Sequence, residues 1–459
     1  MITDATTTPC VLFPELFDRP LIARFDQHRG SSDGGAVLLK AADAGLRLTA
    51  RLADCLPDDR QPGKVRHELL ELLRQRVYAI ACGYPDGNDA ARLADDPVHK
   101  MLVERDPIDG DPLASQPTLS RFENAVRPRH LYRMGEALAD VVLERQRRRR
   151  HGRARRITLE LDPTDDPTHG GQQLTFFNGH YDTWCYLPVA AFVRFNHEPE
   201  QHLVAAVLRP GNASASLGAL GLLRRLLARL YRAFPETQVL VRLDGGFATP
   251  EILDYLEGQA VEYIIAMAGN SVLRRRAEAL LKKVRRRSQI TGRPEHLYGE
   301  CHYAAGSWSH RRRVIIKAEV VRHPDRDPKD NPRFVITNLP QNPQWVYERV
   351  YCQRGEIENR IKELHHGLEI DRTSCSRFWA NQFRVLMTAA AYVLMQELRL
   401  RATGTSCHRS QVGTLRERLI KIGVRVERSV RRIVLHLPAS FPYLRAWRRV
   451  ACALGARTG

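Results

Sequence analysis

The stretch Ile157-Thr158-Leu159-Glu160-Leu161-Asp162-Pro163-Thr164-Asp165-Asp166-Pro167-Thr168-His169-Gly170 decides how the chain is read. Ile157, Leu159 and Leu161 alternate with Thr158, Glu160 and Asp162, the period of a strand with one face in a core. The Asp, Pro and Thr that follow are turn formers, so the strand ends at Asp162. Toward the C-terminus, Tyr186 to Phe195 and His202 to Leu208 read as two more strands, with Pro199 between them. Leu217 to Phe234 is an amphipathic helix, and Gln238 to Asp244 is a strand with Val239, Val241 and Leu243 on one face. Thr249-Pro250-Glu251 opens a helix with a capping threonine, a proline at the first position and an acid in the first turn. Val261 to Ala266 is the next strand. Three strands, a helix, a strand, a helix and a strand specify an α/β core.

Upstream of this core, Arg145 to Arg156 carries eight arginines in twelve residues. A solvated linker would tolerate them, but their density fits a phosphate-contacting segment better. Residues 1–150 read as helical. Arg66 to Gly83 has an apolar stripe at Leu69, Leu70, Leu73, Val77, Ile80 and Ala81, and His130 to Gln146 is a further helix. Pro117 to Phe122 reads as a loop entering a helix. This region is either a plain bundle or a DNA-binding module with Ser120 and Arg121 facing a groove. Downstream, the rhythm breaks over 270–345. Ser271 to Arg287 is a basic helix, followed by short β-like runs at Arg313 to Val321 and Arg333 to Leu339. These read as an inserted β-rich module. Helical signal returns from Val346 to His366 and from Phe378 to Arg401, and 402–459 is a basic C-terminal region.

The 459 residues include 71 Lys and Arg against 52 Asp and Glu, a formal net charge of +19. Self-repulsion of that size destabilises a fold, so it points to a polyanionic partner, and nucleic acid fits better than an anionic membrane surface. No run of about 18 apolar residues suggests a membrane span. Met1 to Pro20 lacks the order of a secretory signal, so the expected location is the cytoplasm. The nine cysteines are odd in number and form no Cys-x-x-Cys pair, which argues against a disulfide framework and a zinc finger.

Phosphoryl transfer on DNA calls for carboxylates from separate elements that converge on hard divalent cations. Three fit. Asp162 and Asp244 each end a strand, the latter before Gly245-Gly246. Glu358 lies in a helix where Tyr351, Arg354 and Glu358, at i, i+3 and i+7, share a face. Each also has an ordinary structural use. Asp162, Asp165 and Asp166 suit a turn after a strand, Asp244 suits a tight turn, and Glu358 suits an i,i+4 pair with Lys362. His169 has no second histidine nearby to make a metal pair.

The whole arrangement resembles the DDE transposases of bacterial insertion sequences, in the subgroup with a β-rich insertion before the catalytic Glu. The matching stretches span most of the chain: Ser31-Ser32-Asp33-Gly34-Gly35, Leu72 to Tyr84, Ser115 to Arg121 and Asp162 to Gly170. They continue through Phe177-Asn178-Gly179-His180-Tyr181, Leu208 to Asn212, the Asp244 turn, Ala305-Gly306-Ser307-Trp308 and Arg354 to Leu364. The resemblance implies an RNase H-like catalytic core formed by 151–269 and 346–401, interrupted by the insertion at 270–345. It implies that Asp162, Asp244 and Glu358 are catalytic and bind two Mg²⁺ ions, with Mn²⁺ as a substitute. It implies cut-and-paste recombination at element ends with terminal inverted repeats, transfer into target DNA, and a homodimer in the active complex at the nucleoid.

Tyr351, Arg354 and Glu358 match the family's motif of tyrosine, arginine, glutamate and a later lysine. Seven residues after Glu358, however, this chain has His365 instead of lysine, with Lys362 one turn from Glu358 as a substitute. Related transposases with the insertion form a DNA hairpin and stack a flipped base. Trp308, between small polar residues, is either that platform or a loop anchor. Two other readings stand beside an active transposase: a metal-dependent nuclease that cuts without joining, and a DNA-binding protein with a dead core.

Overall fold

The computed structural model describes residues 10–457 apart from 14, 260 and 325; Met1 to Pro9, which begin the stretch read for a signal, lie outside the described residues. Three helices dominate the first third: α1 (Leu69–Cys82), α2 (Gln116–Asn124) and α3 (Pro128–Arg149). The opening is not helical throughout, because Cys10–Phe13 pairs antiparallel with Leu21–Arg24.

The core elements then follow in the order read from the sequence: β1 (Arg156–Pro163), β2 (Val189–Phe195), β3 (Gln201–Val207), α4 (Ala219–Ala233), β4 (Gln238–Leu243), α5 (Pro250–Gly258) and β5 (Glu262–Met267). β1, β2 and β3 form an antiparallel meander, with a long excursion between β1 and β2 and a short turn between β2 and β3. The helical crossovers place β4 parallel to β1 on its other side, and β5 parallel to β4, as parallel neighbours require. Tyr186 belongs not to β2 but to a separate hairpin, Phe176–Asn178 with Thr183–Tyr186. Pro250 does open α5, but the Thr249 side chain makes no capping bond.

Residues 270–345 contain α6 (Ser271–Thr291), β6 (Glu295–Tyr303), β7 (Arg312–Val321) and β8 (Arg333–Thr337). They do not form a separate sheet. β8 returns antiparallel onto β5, and β7 and β6 add beyond it. With Lys329–Asp330 on β7, this makes one nine-stranded sheet in the order β6-β7-β8-β5-β4-β1-β2-β3. Buried Phe334, Val335 and Ile336 cover what would otherwise be an exposed edge at β5.

The helical run after the insertion includes α7 (Gly355–Lys362), and α8 (Phe378–Arg401) is buried along almost its whole length. α8 packs on α1, α3 and β3, so one apolar cluster extends from Ala36 to Ala451. Polar bonds fix α8: Arg145 donates to both oxygens of Glu397 at 2.9 and 3.0 Å, and Gln382 accepts from the Leu208 amide at 2.6 Å. A clasp joins the opening to the tail. Buried Asp33 pairs with His99 at 2.9 Å and Lys421 at 2.7 Å, and the Gly34 amide bonds the Ile422 carbonyl. A Cβ on Gly35 would lie 1.8 Å from the Leu419 carbonyl oxygen, which explains the glycine.

The arginine run is partly consumed internally. Arg145 pairs with Glu397, Arg149 and Arg150 with Glu198, and Arg156 with Glu262. Arg147, Arg148, Arg153 and Arg155 have no ion-pair partner among the described residues and remain available to solvent phosphate. The eight cysteines from Cys55 to Cys452 are free thiols. No helix among the described residues is long and apolar enough to cross a membrane.

Candidate active site

On the β1–β4 ladder, Glu160 lies opposite Arg242. Both are buried; Arg242 Nε donates to Glu160 at 2.7 Å, and its Nη1 donates to the Val350 carbonyl at 2.5 Å. Gln201 donates to the other Glu160 oxygen. This pair ties the sheet to the helical run that carries the third carboxylate. Sequence alternation alone could not separate it from a solvated polar face; an arginine between Val241 and Leu243 was the available signal.

Two residues further along each strand, on the same face, come Asp162 and Asp244. Asp244 also caps the turn behind it, accepting from the Gly246 amide at 2.8 Å. The third carboxylate stands on an uneven helical run. A π turn covers Val346–Tyr351, a 3₁₀ turn covers Cys352–Arg354, α7 follows, and a second π turn covers Glu363–Gly367. The spacing that places Tyr351, Arg354 and Glu358 on one face assumes a regular helix; here the turns widen and tighten in succession, a departure common at functional sites. Arg354 nevertheless reaches between the strand ends, bonding Asp162 and lying 3.6 Å from Asp244. Tyr351 is half-buried against Tyr347, with ring centroids 5.4 Å apart.

Glu358 faces Asp162 across an open concavity of about 460 Å³, which Thr164, Asp165, Tyr181, Lys362, His365 and His366 also line. Burial, with Asp244 and Glu358 adding to it, pushes the Asp162 carboxyl up to about 7 against the opposing pull of Arg354. Burial draws the Arg354 guanidinium down, but Asp162, Asp244, Tyr351 and Glu358 outweigh it and hold it above its ordinary value. One cation therefore faces three carboxylates.

The remaining expected residues fall into distinct places. Asp165 lines the concavity, while Asp166 is buried, accepts from Thr373 at 2.9 Å, and is raised well above the carboxylate range by burial. His169 is exposed outside the concavity. His365 is engaged on both sides, with Thr164 at 3.0 Å and Asp371 at 3.6 Å. Lys362 is exposed and has no ion-pair partner among the described residues.

Arg121 shares a hollow of about 840 Å³ with Arg60, Lys64, Arg66, Arg105 and Ser115, whereas Ser120 is half-buried and does not line it. Trp308 is half-buried, with the Tyr303 ring edge-to-face against it at a centroid separation of 5.5 Å and the Arg312 guanidinium 5.2 Å over it; Arg312 is itself fixed by Asp254 and Glu257. Trp308 does not line the carboxylate concavity. Tyr181 does, and only its place in a quoted motif marked it in the sequence.

A family model described as Transposase DDE domain group 1 matches residues 13–457. The chain belongs to the DDE transposase family. A comparison with curated proteins finds no match. The match spans the helices, the sheet and the tail alike, in keeping with their shared core. It identifies a DNA transposase, and this family generally uses divalent metal.

The carboxylates of the transposase's site fit such an ion. Asp162 and Asp244 at the strand ends and Glu358 on α7 are three hard oxygen donors with excess negative charge, and the guanidinium held between the first two marks a place where positive charge is favoured. They are not closed into a tight set: among the described residues, the groups of three ligating side chains within 4.8 Å of one another are Asp33, Cys82 and His99, and Asp254, Glu257 and His310.

Proposed function

We propose that this transposase cuts and rejoins DNA by a cut-and-paste mechanism, with Asp162, Asp244 and Glu358 as the ligands of two Mg²⁺ ions on an RNase H-like core. The observation that carries the reading is that Arg354 reaches both Asp162 and Asp244 at adjacent strand ends, with Glu358 lining the same concavity as Asp162. Bound there, the ions would stabilise the attacking and leaving oxygens at the phosphorus.

The chain's own groups do the rest. Asp162 holds a proton near neutrality, and a cation held there would favour its carboxylate form. Arg354, between Asp162 and Asp244, would serve with Tyr351 as a donor for a DNA phosphate at the strand ends. Lys362 is the free cation of the concavity and suits the strand-gripping role, since both ring nitrogens of His365 are occupied.

The hollow around Arg121 gives duplex DNA a basic surface on the N-terminal region, 1–150, which we read as the end-recognition part. In this reading 151–269 and 346–401 form the catalytic core, 270–345 the insertion and 402–459 a basic accessory region. The partners are the terminal inverted repeats of an element and a target DNA in the nucleoid, engaged by a homodimer.

Labelled DNA carrying the repeats that flank the coding region, incubated with a supercoiled target and Mg²⁺, tests this. Joined products support transposition. Cleavage without joining supports the nuclease reading, and binding without cleavage supports the inactive one.

A further inference from the structure

The hairpin Phe176–Asn178 and Thr183–Tyr186 leaves two large aromatic rings in water. Phe177 and Trp184 are directly opposite each other across the hairpin, with centroids 6.4 Å apart in an edge-to-face arrangement, and are 51 % and 57 % exposed. Trp184 is the most exposed of the five tryptophans.

The hairpin that carries them is held rigidly. The Trp184 carbonyl accepts from the Thr168 amide at 2.9 Å, and Asn178 donates to the Gly211 carbonyl at 2.8 Å. A Cβ on Gly211 would fall 2.0 Å from the Cys185 carbonyl oxygen, so the loop Leu208 to Asn212 presses directly on the hairpin backbone. Buried Arg209 locks that loop by donating to the Leu187 carbonyl at 2.8 Å. A fold that spends a glycine and a buried arginine to brace a hairpin, and then exposes the hairpin's aromatic pair, is presenting a surface.

The hairpin is continuous with the carboxylate concavity. Tyr181, in the turn between its strands, lines the concavity with Asp162 and Glu358. A strand whose phosphate lies at the carboxylates therefore passes Tyr181 at the turn of this hairpin. Aromatic rings accept bases irrespective of sequence, because every base has a π-face, and the chain's charge of +19 selects a polyanion over another apolar protein surface.

Resting on the DNA-processing reading above, we propose that Phe177 and Trp184 form the stacking platform for unpaired bases next to the phosphate held at Asp162. Trp308 is not that platform, because Tyr303 and Arg312 already cover it.

The test uses full-length protein without divalent metal, so that binding is measured without turnover. The probe is a 30-base-pair duplex with three unpaired bases at one end, the middle one 2-aminopurine, and a dye at the other end. Dye anisotropy reads binding, and 2-aminopurine fluorescence reads stacking. We expect the parent protein and Trp308→Ala to quench 2-aminopurine several-fold. Trp184→Ala and Phe177→Ala should lose most of that quenching and about tenfold in affinity for the forked probe, with unchanged affinity and salt slope for a blunt duplex. Trp184→Phe should restore most of the quenching. Parent-like quenching by Trp184→Ala overturns the platform while leaving DNA binding intact. So does a Trp184→Ala protein whose only change is a lower oligomeric state in sedimentation, which would assign the rings to a second copy of the chain. No binding of either probe by the parent protein overturns the DNA reading itself.

Discussion

Two successive levels of one strand pair, an inner rung that closes the β1–β4 ladder and an outer rung at the strand ends just past its last registered pair, carry opposite electrostatic designs. On the inner rung, Glu160 and Arg242 are each 1 % exposed, matched one charge to one, and bonded further to Gln201 and the Val350 carbonyl. On the outer rung, Asp162 and Asp244 share Arg354 with Glu358 facing them, and Asp162 can ionise only near neutrality. The inner rung is neutral and bonded to both the sheet and the helical run, with only Arg242 Nη2 and Gln201 Oε1 of its side-chain atoms left without a partner, so it fixes strand register and helix position. The outer rung is left with an excess of negative charge that no side chain cancels. Position along one strand pair, by two residues, separates a structural ion pair from a candidate metal site.

The largest expected effect breaks the outer rung alone. Asp162→Ala, Asp244→Ala or Glu358→Ala should lower strand cleavage by about 10⁴-fold or more, since loss of one ligand spoils the two-ion geometry, and should leave duplex affinity within about threefold, because phosphate contacts lie elsewhere. Normal nicking by Asp244→Ala would remove it from the site.

Breaking the inner rung should instead unfold the protein. Glu160→Leu leaves Arg242 buried without its partner and is expected to cost about 3–5 kcal/mol in denaturant unfolding. The double variant Glu160→Leu/Arg242→Met should recover much of that loss. A stable single variant would show that this rung does not fix the fold.

A smaller effect is the pH response of the outer rung. The folded pKa of Asp162, about 7, lies above its ordinary value of 3.8. Its contribution to stability is therefore complete below about pH 4 and is lost as pH rises through 7. Metal-free Asp162→Asn should escape that loss, melting about 2–4 °C higher than the parent at pH 8 and equally at low pH. Mg²⁺ must displace the proton, so its affinity for the parent should climb up to about pH 7 and then level. An unchanged melting difference between pH 5 and 8 would contradict the buried, raised carboxyl.

The smallest expected effect concerns the cations at the rim. Lys362→Ala should weaken cleavage three- to tenfold, while His365→Lys should leave the pH profile parallel to the parent's, since the imidazole is held by Thr164 and Asp371. A flattened profile for His365→Lys would return the strand-gripping role to His365.

The sequence made both strand ends legible because alternation stops abruptly at Asp162 and Asp244, where turn residues begin. It could not distinguish Glu160 and Arg242 from surface residues, because a period of two reports which face a residue is on and not what covers that face. Trp308 was ambiguous for a related reason. It sits among small polar neighbours and reads as either a platform or a loop anchor, and Tyr303 and Arg312, at the ends of the strands that flank its loop, pack against it. Trp184 lies just before the strand read from Tyr186 and carries no pattern of its own that marks the separate hairpin in which it pairs. The strand Glu295–Tyr303 was not read, because its polar residues and Gly299 give little alternation and its faces are half-exposed. The join of 270–345 to the central sheet depends on pairing between β5 and β8, which no local pattern encodes.

The shared core has a consequence during synthesis. The first 150 residues leave the ribosome with the apolar faces of α1 and α3 uncovered, and α8, which covers them, ends only at Arg401. Asp33 waits longer still for Lys421. At synthesis rates of about 5–20 residues per second, that interval is on the order of tens of seconds. A chain stopped before α8 is therefore expected to be protease-sensitive rather than a working DNA-binding fragment, and limited digestion of a 1–150 fragment beside the full chain would reveal it. Translation through α8 then becomes the event that completes the shared core.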